Sequence, residues 1–163
     1  SKAILQPTDE MTTWDRIWYS PDVTSLVVKG GRTKEGSRIN EATRMPEKFT
    51  EYFISKIDIK DRSTTPLLTW TRGSIGLICV EWQRNELVTE EKVSEDKNAI
   101  RVRRLSDAKV VWEHEFRPGL YVEWARLLPD GQIIAIVQKG KDQVSAGKYS
   151  DVRLVYWDVS RKK

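Results

Sequence analysis

One cysteine, one histidine and two methionines are all that 163 residues hold of the soft or readily titrated side chains. With Cys79 alone, neither an internal disulfide nor a cysteine-built metal site can form. The chain also has no Asn-x-Ser/Thr acceptor, and the two absences together predict a reducing cytoplasmic or nuclear setting. No apolar run approaches the ~20 residues of a membrane helix, and the first residues do not read as a basic-then-apolar leader. Charge of one sign is scarce as well. Against 24 acidic residues stand 28 basic ones, a net +4, far below a dedicated nucleic-acid binder. What is there is a folding composition, 39% hydrophobic with seven Trp, five Tyr and three Phe, enough for a domain that buries roughly 70% of its unfolded surface.

Groups that carry chemistry are equally few. His114 sits in Val110-Val111-Trp112-Glu113-His114-Glu115-Phe116, where period-2 alternation puts Trp112, His114 and Phe116 on one strand face and both glutamates on the other. No Gly-x-Ser-x-Gly elbow or reactive-cysteine signature accompanies it, so it reads as a strand-surface histidine. Cys79, inside Ile78-Cys79-Val80, reads as a buried, inert thiol. The stretch Gly30-Gly31-Arg32-Thr33-Lys34-Glu35-Gly36-Ser37 has the glycine separation of a phosphate loop, but Ser37 stands where the phosphate-binding Lys is required. Glu90-Glu91 and Glu95-Asp96 lack the spacing of a calcium loop and read as a solvated acidic hairpin tip. No metal, no cofactor and no catalytic residue is therefore expected; a carboxylate-only mechanism is the one kind of enzyme this inventory leaves open.

Repetition is the stronger signal. Ile17-Trp18-Tyr19-Ser20-Pro21-Asp22, Val80-Glu81-Trp82-Gln83-Arg84-Asn85 and Val122-Glu123-Trp124-Ala125-Arg126 each lead through a polar turn into a β-rich run. From Trp82 to Trp124 is 42 residues, and from Trp18 to Trp82 is 64, or one period plus an insertion of about 22. Segment 31–48 offers a place for it, with five basic and three acidic side chains, and reads as a loop. Period-2 runs predict strands at 13–19, 25–29, 51–59 and 66–71, then 75–82, 86–90, 99–105 and 109–116, then 120–127, 132–138 and 151–159. An isolated strand at 3–6 makes twelve. No long helical periodicity is present.

Units of four antiparallel strands at a period near 42 residues are the sequence form of a β-propeller blade. Pro129-Asp130-Gly131, Ser20-Pro21-Asp22 and Val155-Tyr156-Trp157-Asp158-Val159-Ser160 resemble the turn and third-strand signatures of WD-repeat and related propellers. The Gly-His dipeptide of each WD repeat is missing, so the resemblance is to a divergent propeller. It implies an all-β fold of three blades in a single propeller-type domain. Residues 1–8 would supply a strand completing a blade, 9–74 the first blade with insertion 31–48, 75–119 the second, and 120–163 the third without its last strand. Three blades do not close a ring. Two copies pairing head to tail, each lending strand 3–6 to the other, would make six; otherwise the chain is a piece of a longer propeller. A single closed β-barrel with an interior ligand cavity is the rival architecture.

Function is then expected to be non-catalytic, a protein–protein interaction or scaffold module. Trp18, Trp82 and Trp124 are expected to pack between blades. Trp70, Trp112 and Trp157, on outer strands, are candidates for a contact surface. Insertion 31–48 contributes Arg32, Lys34, Arg38 and Arg44 together with Ile39 and Met45 as partner-binding candidates. Arg101 and Arg103, on one strand face, support the alternative of a basic patch for nucleic acid or an anionic surface, with Arg104 beside them.

Overall fold

The computed structural model describes residues 12–39, 43–71, 75–94, 97–116, 120–139 and 152–159. They form eleven strands, and no helix occurs among the described residues. The twelfth expected strand, at 3–6, lies outside them. After Gly73 the chain divides into two units. The first is one antiparallel meander of β1 (Thr12–Tyr19), β2 (Ser25–Ile39), β3 (Pro46–Asp58) and β4 (Thr64–Trp70). The second holds a four-stranded meander of β5 (Ile75–Glu81), β6 (Glu86–Ser94), β7 (Lys97–Arg104) and β8 (Val110–Phe116). It also holds a three-stranded sheet of β9 (Leu120–Leu127), β10 (Gln132–Lys139) and β11 (Val152–Asp158), in the order β11-β10-β9. The fold is all-β, with three separate antiparallel sheets, none of them closed; the single-barrel alternative is set aside by that separation.

Alternation decides what each sheet buries. In the second unit Val88 pairs with Val102 across β6 and β7, and Leu127 with Ile133 and Ala125 with Ala135 across β9 and β10. These side chains meet in one core between the two sheets, with Ile100, Val122 and Val159 added and Trp112, Phe116 and Trp157 closing it. In the first unit Leu26, Val28, Phe53 and Ile57 share a face and gather Trp14 and Ile59. Gly30 is fixed by close approach, since a β-carbon there would overlap the carbonyl oxygen of Thr13.

The repeat is real at the turns. Where β1 meets β2, β5 meets β6 and β9 meets β10, the fourth turn residue has positive φ: Val23 at 55°, Asn85 at 55° and Gly131 at 87°. Each donates its N–H to the carbonyl three residues back, Ser20 (2.9 Å), Trp82 (3.2 Å) and Leu128 (2.9 Å). The turns before β4 and β8 match in the same way, with Arg62 at φ 60° and Ala108 at φ 55°. Arg62 to Ala108 and Asn85 to Gly131 are each 46 residues, whereas Val23 to Asn85 is 62. The tryptophan spacing of 42 and 64 is corrected accordingly, because the three tryptophans sit at different offsets from these turns. Trp18 lies within β1, Trp82 follows the last residue of β5, and Trp124 lies in the middle of β9.

Segment 31–48 is corrected too. It is no loop: β2 and β3 run through it in register, Arg32 against Glu51, Thr33 against Thr50, Lys34 against Phe49 and Glu35 against Lys48. Among the described residues β1 pairs no further along β2 than Arg32 and β4 no further along β3 than Tyr52, and beyond that level β2 and β3 form a two-stranded arm. Charged residues on both faces gave it the composition of a loop. A strand without a core to face shows no apolar alternation.

The turns yield a test. A β-branched residue in the left-handed region costs on the order of 1–3 kcal/mol, and the Val23 side chain is exposed, so nothing is lost by removing it. Val23→Asn is expected to stabilise the fold by about 1 kcal/mol and to raise Tm by roughly 2–4 °C, read by thermal unfolding.

Candidate interaction surfaces

The arm places Arg32 and Lys34 on one face, where both clasp Glu51. Lys34 Nζ lies 2.9 Å from Glu51 Oε1, and the Arg32 guanidinium pairs with Oε2 while lying 5.8 Å from the centre of the Phe53 ring. The hydrogen bond from Lys34, with Arg32 beside it, outweighs desolvation and holds the Glu51 carboxyl below its usual range. Arg44 stands exposed in the turn between the two strands at φ 54°. The side chain of Arg38 lies outside the described residues. Ile39, Met45 and Phe49 are exposed along the arm. At its base Trp70 stacks on Tyr52, ring centres 5.8 Å apart and planes within 21°.

Arg101 and Arg103 share a face of β7 as alternation predicts, but they do not form an open basic patch. Both guanidiniums turn onto Glu91, which is only 6% exposed. Arg103 reaches its Oε1 at 2.8 Å and also donates to the Ala108 carbonyl at 2.9 Å, and Arg101 joins Glu91 to Glu113. Thr89 Oγ1 donates to Glu91 Oε1 at 2.7 Å. Burial opposes ionisation of Glu91, yet the Thr89 and Arg103 hydrogen bonds and the two positive charges prevail and hold its carboxyl below the usual range. Arg104 pairs separately with Asp107.

The reading of Glu90-Glu91 as a solvated tip is therefore overturned. Both lie inside β6, and because strand neighbours point to opposite faces they meet opposite fates. Glu91 meets the arginines. Glu90 faces the sheet packed across the core and accepts the Val122 N–H at 3.3 Å; burial pushes its carboxyl up. Residues 95 and 96 lie outside the described residues.

The aromatic assignments change in the same sense. Trp112 and Trp157, expected at the surface, pack against the core of the second unit. His114 lies between them in ring contact, 6.1 Å from Trp112 and 5.2 Å from Trp157, so the histidine faces inward rather than outward. Trp124, expected to pack, is 46% exposed, beside Leu154 at 57% and Tyr156 at 60%. Sequence reasoning missed this second surface, although residues 152, 154 and 156 alternate as an apolar face of β11. Cys79 is partly buried against the core, and burial pushes its thiol up to about 11. Among the described residues no three His, Cys, Asp or Glu side chains converge as a metal-binding group, and no helix is long and apolar enough to cross a membrane.

The Glu91 cluster generates a pH-dependent test. A carboxyl held below its unfolded value stabilises the fold above that value, and the contribution is lost as pH falls through the folded one. Glu91→Gln is expected to cost roughly 3 kcal/mol at pH 7, as when one member of a buried ion pair is removed. In urea titrations the gap between parent and variant should narrow steadily below about pH 4.

No protein-family model matches the chain, and no curated protein does. Over 90% of its length the chain is similar to the crystal structure of an uncharacterized protein from Listeria monocytogenes, with a TM-score of 0.57 and 14% sequence identity. The chain spans 37% of the length of that protein, and at this identity the likeness is one of fold.

Proposed function

We propose that the chain is a non-catalytic interaction module that recognises another protein through its β2–β3 arm. The observation that carries this reading is the arm itself. Seven residues of β2 beyond Arg32 extend about 23 Å past the described residues of β1, and an isolated two-stranded hairpin is at best marginally stable in water. A ribbon that exposes Ile39, Met45 and Phe49 is suited to being covered. Basic side chains beside these apolar ones give the mixed character common at protein interfaces. The alternative of a nucleic-acid or anionic-surface binder loses Arg101 and Arg103, whose charges are engaged by Glu91 and Glu113.

We further read the three sheets as propeller-type blades. The support is their meander order, the recurrence of the same turns 46 residues apart, and likeness of fold to a longer chain. On this reading a second copy closes a six-bladed ring.

Two variants test the arm. Joining Arg32 to Glu51 through an Asn-Gly turn removes it with little cost, since loop length contributes only about 0.6 kcal/mol per doubling. Ile39→Asp with Met45→Asp keeps the ribbon and alters only exposed positions. Both are expected to keep Tm within about 2–4 °C of the parent and to lose the protein partner captured by cross-linking and affinity purification. Unchanged capture by the double variant would remove the arm from recognition. Capture abolished by nuclease would favour the nucleic-acid reading.

A further inference from the structure

Among the described residues the three sheets leave six edge strands, and five of them are blunted in the same way. Where each pairs with its inner neighbour, one extra residue on the edge strand interrupts the register: Asp15 in β1, Leu67 in β4, Ile78 in β5, Val111 in β8 and Glu123 in β9. Such bulges bend an edge away from a further strand, and β4 adds Pro66, which has no N–H to give. β11 is the exception. It pairs with β10 from Val152 to Asp158 without a shift and contains no proline.

Register also sets where the free backbone groups of β11 point. Val159 donates its N–H to the Gly131 carbonyl at 2.9 Å, and at every second residue from there, Trp157, Val155 and Arg153, the N–H and carbonyl face β10. Those of Val152, Leu154 and Tyr156 face the other way, where no described strand meets them. All three residues are exposed.

The ground beside this edge is a step within the second unit. The three-stranded layer ends at β11, whereas the four-stranded layer packed against it runs on to β8. Trp112, His114 and Phe116, the inward side chains of β8, are half-buried there. Trp157 of β11 meets the first two, with ring centres 6.2 Å from Trp112 and 5.2 Å from His114. A strand laid along β11 would rest on this aromatic floor and carry forward the packing of β9 and β10 on β6 and β7. Its other face would stand beside Leu154 and Tyr156.

We infer that β11 takes up an extended segment of a partner protein, apolar at alternate positions, as the fourth strand of its sheet. The backbone decides the class of occupant, because donors and acceptors recurring at every second residue match those of another strand. The floor decides the pattern, because every second side chain of that segment meets indole and imidazole rings. The inference stands apart from the arm, which lies in the other unit.

Phage selection of random peptides against the full chain, followed by amide exchange read by NMR, tests this. Enriched peptides are expected to alternate apolar residues. Their binding is expected to slow exchange at Leu154 and Tyr156 at least ~10-fold, while Val155, already bonded to β10, changes little. N-methylation of the peptide at one set of alternate residues is expected to weaken binding roughly 10-fold per methyl, about one lost hydrogen bond, and at the other set to leave it intact. Leu154→Pro removes an outward donor without touching the β10 ladder and is expected to abolish binding; Leu154→Ala, which keeps that donor, is expected to retain most of it. Circular dichroism checks that both variants keep their strands, and the methylated peptides decide the matter if the proline variant does not. A selection that enriches no such peptides overturns the inference. So does binding indifferent to methylation at either set, which would place the peptide on the apolar face through side chains alone. A full chain that sediments as a pair dissociated by Leu154→Pro would assign the edge to a second copy. Peptides that bind only after deletion of residues 1–11 would assign it to the chain itself. Either result overturns the inference.

Discussion

The second unit depends on one contact, the laying of the β6–β7 face on the β9–β10 face. Val88, Ile100 and Val102 lie on one side and Ala125, Leu127, Ile133 and Ala135 on the other, all buried. Small residues at 125 and 135 let the sheets approach, and branched ones opposite fill the space. Once that contact exists, period-2 geometry assigns every other side chain. What alternates with the core on β6, β7 and β8 is the Glu91 cluster, and what alternates with it on β9, β10 and β11 is the exposed apolar face.

These two faces behave differently. On one, two arginines converge on a buried glutamate, an arrangement that tolerates burial only because each charge has a partner. That ionic face is satisfied internally and offers little attraction to an anionic ligand. The other exposes Trp124, Leu154 and Tyr156, with Arg126 and Asp158 beside them, and its apolar groups gain by being covered. The arm is a third kind of surface, held as a ribbon by cross-strand pairing and by Glu51 between Arg32 and Lys34, with its apolar residues Ile39, Met45 and Phe49 exposed.

Much of this was legible. Strand positions followed from alternation, and the first turn of each sheet was visible as Pro21-Asp22, Arg84-Asn85 and Asp130-Gly131. The period was misread because tryptophan, the most conspicuous residue, marks no fixed place in the repeat; the positive-φ turn residue does, and at position 23 it is a valine, which conceals it. The arm was hidden for a related reason, since a ribbon wet on both faces has no hydrophobic period. Glu91 and Arg103 lie twelve residues apart in sequence and meet only through strand register, so neither gave a local sign of the other. Trp124, between Glu123 and Ala125, and Trp157, between Tyr156 and Asp158, each have one charged neighbour, so local pattern does not separate them; which of them would be covered was decided by the sheet across the core.

The central claim is that the β2–β3 arm is an interface. Hydroxyl-radical footprinting of the parent chain, read at Met45 and Phe49 before and after the captured partner is bound, addresses it directly. The account predicts that both exposed side chains are oxidised readily in the free chain and become protected together in the complex, while exposed Trp124 and Tyr156 on the other unit stay reactive. Reactivity at Met45 and Phe49 that is unchanged in the complex would contradict it.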